Sequence, residues 1–313
     1  MTPSSQLHAE PTSDDVSAHP TRTALVLGGG GSTGNAWLIG VLAGLFEAGV
    51  DVTDADLTIG TSAGSTAAAQ VAGATPTELF AAILAADRQP RPGGGGPQHA
   101  RGSVGAVSDH LDRMRALIAS AADQADLRRK VGARALELEA ASGGSRQPQW
   151  RATVASRLPS PEWPGRSILI TAVDAETGEP VAFDRESGVD LVDAVAASCS
   201  SGAAYRIGDR GYIDGGFRSN AENADLALGY ARVLVLAPFG GQSLTPESWG
   251  THLATQVDEL HAQGSRVETI IPERDAEHLF GPNAMDPSLR LPAARVGYDQ
   301  GRALAARVAE FWR

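Results

Sequence analysis

Three short stretches hold residue types that can form a nucleophile, an anion site and a base. Residues 60–64 read GTSAG, with Ser62 at the centre of a G-x-S-x-G pattern. A serine nucleophile has to project above its sheet from a sharp, strained turn between a strand and a helix, and glycines two residues to either side relieve the crowding. Gly60 and Gly64 occupy those positions. In an Ala- and Gly-rich chain the same five letters also describe a plain linker with a buried serine. Residues 28–34 read GGGGSTG. Successive glycines after a strand leave backbone N–H groups unshielded, so an anion can rest against them. That anion is either the oxyanion of an acyl-transfer reaction or the pyrophosphate of a dinucleotide, for which Gly29-x-Gly31-x-x-Gly34 has the spacing. The third stretch is YIDGG, residues 212–216. Asp-Gly is an ordinary hairpin turn. As a base, Asp214 would have to approach a serine hydroxyl to about 2.6–3.2 Å. Gly215 and Gly216 remove side chains that would block it, and burial would have to raise the carboxyl pKa toward neutrality.

The elements that must position these stretches follow from the apolar pattern. TALVL (23–27) is a strand that stops at the glycines, and Trp37, Leu38, Val41, Leu42, Leu45 and Phe46 then fall at helical spacing, closed by Gly49. DLTI (56–59) is a second strand and SAGSTAAAQVAG a small-residue helix ending before Pro76. This alternation implies a parallel sheet covered by helices. Residues 77–87 are helical, and RQPRPGGGGPQ (88–98) is too rich in Gly and Pro for regular structure. From 103 to about 141 a helical stripe returns with Val104, Val107, Leu111, Met114, Leu117 and Ile118, and SGGSRQPQ (142–149) ends the insert. The stripe reads first as core packing and second as a mobile cap over an apolar site that touches lipid. Strand-like runs follow at 167–184 around a Thr-Gly turn, then a helix at 188–200, a hairpin at 205–216, strands at 232–238 and 266–272, and an amphipathic helix from about 290 to 313.

Bulk composition narrows the classes. A chain of 313 residues with net charge −11 has no global attraction to nucleic acid or to an anionic bilayer. Cys199 is the only cysteine, which excludes an intrachain disulfide and a cysteine-rich zinc site. Residues 1–21 are polar, lack an apolar signal-peptide core and read as a flexible tail; no stretch is apolar enough to span a bilayer. A cytoplasmic location, with transient contact at a membrane surface, is the expectation.

Two competing chemistries remain open on the residues alone. A dinucleotide site wants an acid at the end of the second strand. Asp51, Asp54 and Asp56 are near the right distance but precede LTI, at the wrong end. A Ser-His-Asp triad in hydrolase order needs a histidine after Asp214. His252, His261 and His278 are the candidates, and none has a distinctive setting.

Side by side, GGGGSTG, GTSAG and DGG, in that order and at those separations, make the chain resemble a patatin-like phospholipase from about residue 22 to the C terminus. DGGFRSNAENADLA and GPNAMDPSLRLPAARVGYDQGRALA resemble bacterial members. The resemblance implies a three-layer α/β/α fold with a mainly parallel sheet over 22–313 and a helical insert at about 88–165. It implies a Ser62–Asp214 dyad without histidine, with Gly29, Gly30 and Gly31 as the oxyanion loop, acting on acyl esters of lipids with no metal or organic cofactor. A non-catalytic lipid- or protein-binding module of the same family is the rival, and a nucleotide-binding domain is the next. Two departures stand out: Thr33 where members often carry Arg, and SSGAAYRI before the Asp motif where members often carry Pro.

Overall fold

The computed structural model describes residues 19–86 and 112–313. The expected tail, apart from its last residues, the break at 88–98 and the apolar positions Val104, Val107 and Leu111 lie outside them. The chain runs β1 (His19–Leu27), α1 (Gly31–Glu47), β2 (Leu57–Gly60), α2 (Ala63–Gly73) and α3 (Pro76–Ala86). After helical residues 112–120 come α4 (Gln124–Ser142), α5 (Gln147–Ala155), β3 (Ile168–Asp174), β4 (Pro180–Phe183) and α6 (Leu191–Ser198). The hairpin β5 (Tyr205–Ile207) and β6 (Arg210–Asp214) leads to β7 (Tyr230–Leu236), α7 (Leu253–Ala262), β8 (Arg266–Ile270) and α8 (Arg290–Trp312).

The strands form one mixed sheet in the order β5-β6-β3-β2-β1-β7-β8, with β4 paired to β3 off that path. β3, β2, β1, β7 and β8 are mutually parallel, while β6 runs antiparallel to β3 and β5 antiparallel to β6. A parallel strand covered on both faces is apolar on both faces. Leu25, Leu27, Leu234 and Leu236 point to the layer of α1, α2 and α8, whereas Ala24, Val26, Val233 and Val235 point to α7, with its buried Leu253 and Leu260. The result is the expected three-layer α/β/α arrangement.

Three details differ from the sequence expectations. Helix α5 starts at Gln147 inside the stretch read as a terminator, because Pro148 falls in the first turn, where no N–H is needed. Helix α7 has its apolar residues at Leu253, Val257 and Leu260, a short stripe within a polar segment. Helix α4 packs directly on the sheet. Leu127, Val131 and Ala135 join Val173, Ala204 and Ile213, and Met114, Leu117 and Ile118 pack against that cluster. A Cβ on Gly132 would lie 2.3 Å from the Ala175 carbonyl oxygen, so the helix and chain touch backbone to backbone.

Among the described residues no helix is long and apolar enough to cross a membrane.

Candidate active site

Register explains why Ser62 and Asp214 meet. Gly60 pairs with Ile170 across β2 and β3, and Ala172, two residues on, pairs with Asp214 across β3 and β6. Ser62, two residues past Gly60, therefore stands level with Asp214 beyond the C-terminal end of β2. The Ser62 hydroxyl donates to Asp214 Oδ2 at 2.8 Å.

The turn that carries Ser62 is strained as a nucleophile elbow requires. Ser62 has φ 53° and ψ −113° in a non-glycine residue. The flanking glycines permit this by close approach. A Cβ at Gly60 would sit 2.6 Å from Ser65 Cα, and one at Gly64 would sit 1.8 Å from the Leu27 carbonyl oxygen. Gly215 has the same duty beside the carboxylate, since its Cβ would lie 2.1 Å from Thr171 Oγ1. Gly216 supplies a bond as well as space: its N–H donates to Asp214 Oδ1 at 2.9 Å.

The glycine loop passes directly over the serine, with a Cβ position on Gly29 only 3.6 Å from Ser62 Cβ. Its amides are not equivalent. Gly29 N–H donates to the Ala221 carbonyl at 2.8 Å and is committed to the fold. That removes it from the expected trio as a direct donor. Gly30 N–H and Gly31 N–H have no protein acceptor among the described residues, and neither does the N–H of Ala63 at the start of α2. Gly34 lies one turn into α1, where its Cβ position is 3.1 Å from Pro238 Cβ and its N–H bonds the Gly30 carbonyl. Uncommitted amides at the starts of two helices beside the hydroxyl form a ready anion site.

Residues that sequence reasoning passed over hold this geometry. At the end of α6, Ser198 Oγ accepts from Ser62 N–H at 2.9 Å and the Ser200 carbonyl accepts from Asp214 N–H at 3.0 Å, so three consecutive residues tie both partners. Between them the Cys199 thiol donates to the Ser62 carbonyl at 3.1 Å. Burial, with the Asp214 charge nearby, pushes that thiol up to about 11, which keeps it protonated. On the far side Asn223, at φ 57°, donates to Thr61 Oγ1 and to the Gly215 carbonyl, both at 3.0 Å. Thr61 Oγ1 and Thr171 Oγ1 are 2.9 Å apart. This buried network links the residue before the serine to the residue after the aspartate. Gln256 of α7 secures the same loop through Asn220, Ala224 N–H and Asp225.

Electrostatics match the geometry. Burial raises Asp214 from its ordinary range to about 6, opposed by the Gly216 N–H and the Ser62 hydroxyl. Such a carboxylate is ionised at neutral pH and basic enough to receive a hydroxyl proton in a transition state. Histidine has no part in this. His252, His261 and His278 bond the carbonyls of Thr245, Ser265 and Asp275 at 2.7, 3.1 and 2.8 Å. Each single His→Ala variant is expected to keep ester hydrolysis within about three-fold of the unaltered protein, against the 10²–10⁴-fold a lost general base costs; steady-state kinetics on a soluble ester checks it. The dinucleotide acid is also missing from this end, because Asp56 bonds Thr23 N–H at 2.8 Å at the opposite edge of β1.

A family model described as patatin-like phospholipase matches residues 25–227, well over half of the chain. The chain belongs to the patatin-like phospholipase family. Among solved structures it is similar to VipD from Legionella pneumophila, at 13% identity and TM-score 0.42, covering 93% of this chain and 68% of that one. It is also similar to the type III effector protein ExoU, at 15% identity and TM-score 0.37, covering 93% of this chain and 54% of that one. A structure of ExoU with SpcU from Pseudomonas aeruginosa gives 16% identity and TM-score 0.38, over 95% and 54% of the two chains. The chain thus spans about half the length of ExoU. A search of curated protein sequences returned no match. Membership of the patatin-like phospholipase family makes lipid acyl hydrolysis the general activity of this domain. Of the two departures from the patatin-like pattern, Thr33 is buried and its N–H bonds the Ala284 carbonyl at 3.0 Å. The 200–206 segment is pinned by Ser200 to Asp214 and by Ala204 N–H to the Ala135 carbonyl of α4.

Proposed function

We propose that this protein is a serine hydrolase that cleaves acyl esters of lipids through a Ser62–Asp214 dyad. The observation that carries the reading is the 2.8 Å bond from a hydroxyl on a strained turn to a buried carboxylate. In the acylation step Asp214 Oδ2 takes the Ser62 proton while Oγ attacks the ester carbonyl. The amides of Gly30, Gly31 and Ala63 face the developing oxyanion. The protonated Asp214 then gives its proton to the departing alkoxide, leaving an acyl-serine. Water, activated by the same carboxylate, attacks that ester and releases the fatty acid and free Ser62. Gly29 and Asn223 act one step away, by holding the glycine loop and the two catalytic turns in register.

A fluorophosphonate probe and a pH profile test this together. The probe is expected to label Ser62 in folded protein and not in Ser62→Ala. Because only ionised Asp214 accepts the proton, kcat/KM is expected to be flat above pH about 6 and to fall ten-fold per pH unit below it. An unlabelled Ser62, with a control hydrolase labelled in parallel, would establish the non-catalytic module instead.

A further inference from the structure

Arg290, the first residue of α8, reaches across to the glycine loop. Its Nη1 donates to the Ser32 carbonyl at 2.7 Å and to Ser32 Oγ at 3.2 Å, and its Nη2 donates to Asn35 Oδ1 at 3.2 Å. Ser32 follows Gly31 directly. Asn35 Nδ2 in turn bonds Gln70 Oε1 of α2 at 2.9 Å, and Gln70 Nε2 bonds the Arg157 carbonyl at 3.0 Å. The chain of contacts therefore runs from one arginine to the other around the starts of α1 and α2, the helices that flank Ser62. The Arg157 guanidinium lies 5.4 Å from the centre of the Trp150 ring, and the Trp150 indole is fixed by the Ala196 carbonyl.

Neither arginine has a carboxylate partner among the described residues, although acidic residues outnumber basic ones by 37 to 26. Arg290 is half-buried, and all its bonds go to neutral oxygens. A partly desolvated guanidinium with no counter-charge is a poor structural tether. Its place at the first turn of α1 adds to the penalty, because the helix N-terminus is itself positive. The two cations also act on one another, and Arg157 acts on Cys199, which touches Ser62 from the other side. Three of the five N–H donors of Arg290 are used. The Nε–H and one Nη2–H remain, the pair of donors that a phosphate group accepts bidentately.

We propose that Arg290 and Arg157 form a phosphate-recognition subsite at the mouth of the Ser62 site, which selects ester lipids with a phosphate headgroup over neutral glycerides of the same acyl chains. This rests on the hydrolase reading above. Both residues are specificity determinants, and neither touches the reacting ester.

The test has a kinetic arm and a binding arm. In mixed micelles, kcat/KM is measured for phosphatidylglycerol and for diacylglycerol with identical acyl chains. The ratio of the two is expected to fall at least ten-fold in Arg290→Gln/Arg157→Gln, and to recover in part in Arg290→Lys/Arg157→Gln. A structural tether would lower both substrates in parallel, and that result, or a ratio unchanged within two-fold, overturns the subsite. Should Arg290→Gln loosen α8, seen as a lower Tm, Arg157→Gln alone carries the comparison. The binding arm uses Ser62→Ala and calorimetry, so it does not depend on turnover. Glycerol 3-phosphate is expected to bind, with Kd weakened at least ten-fold by the double Gln change. No binding at millimolar concentration overturns the proposal. Binding of inorganic phosphate as tightly as glycerol 3-phosphate, without preference for phosphatidylglycerol, overturns the lipid-headgroup assignment in favour of a free anion. Failure of fluorophosphonate labelling speaks against the hydrolase alone, because the calorimetry still reads the anion site.

Discussion

Asp214→Asn is expected to fold, to lose at least ~10³-fold in kcat/KM for any ester, and to melt at a higher temperature than the unaltered protein at pH 8. The loss of rate follows from the single bond that gives the Ser62 proton a destination. An amide at the same place still accepts the Gly216 N–H but cannot take the proton. The gain in stability follows from the position of the carboxyl. Asp214 is 7% exposed, and burial lifts its pKa from 3.8 to about 6. An acid with a raised folded-state pKa binds its proton more tightly in the folded chain, so stability declines as pH rises from the unfolded to the folded value and stays reduced above it. A rise of that size corresponds to roughly 3 kcal/mol at neutral pH and above. Asn carries none of this penalty. Thermal melts at pH 4 and pH 8 check the sign: the Asn variant is expected to gain at pH 8 and to lose that advantage at pH 4. Equal effects at both pH values would show that the carboxylate is not the destabilising element.

Gly40→Val is expected to be the most damaging single change outside the dyad, at more than ~3 kcal/mol, because its cause is overpacking against backbone. Helices α1 and α8 meet glycine to backbone in both directions. A Cβ on Gly40 would lie 2.1 Å from the Ala294 carbonyl oxygen, and one on Gly44 would lie 2.2 Å from that of Tyr298. From the other side, Gly297 and Gly301 sit under the carbonyls of Trp37 and Val41, with Cβ positions 2.4 and 2.3 Å away. Any side chain here must separate two helices whose neighbouring contacts include the fully buried Trp37, bonded through its indole to Gln300. Alanine at a helix position recovers about 1 kcal/mol of intrinsic propensity, and valine recovers less. Urea unfolding measures the loss. Gly165→Ala, where a Cβ meets nothing within 4 Å, serves as the control and is expected to stay within ~0.5 kcal/mol.

The parts of the site that were legible in the sequence are those that local chain geometry dictates. An elbow serine needs small neighbours, an anion loop needs bare amides, and a close carboxylate needs glycine after it; each leaves a mark within a few residues. What stayed hidden depends on partners far along the chain. Ser198 and Ser200 read as the end of an ordinary helix until the sheet register sets them against Ser62 and Asp214. Asn223 reads as one more polar loop residue until Thr61 and Gly215 close around it. The commitment of the Gly29 amide to Ala221 has no sequence signal, because three adjacent glycines look alike. Helix α1 shows the same limit. Its apolar stripe suggests one buried face, yet every residue from Thr33 to Leu45 is buried, since the face between the large side chains receives the backbone of α8.

The interlocking of α1 with α8 separates the unit that is inherited from the unit that folds. The family model ends at residue 227, before β7, β8 and α8 begin. A fragment cut at that boundary would contain every residue of the Ser62–Asp214 chemistry. It would also leave Leu25–Leu27 of β1 as an open strand edge and the Gly40–Gly44 groove exposed to water, a template for aggregation in place of an enzyme. Excision, domain transplantation or library design guided by the family motifs alone would therefore discard the half of the molecule that keeps the catalytic half soluble.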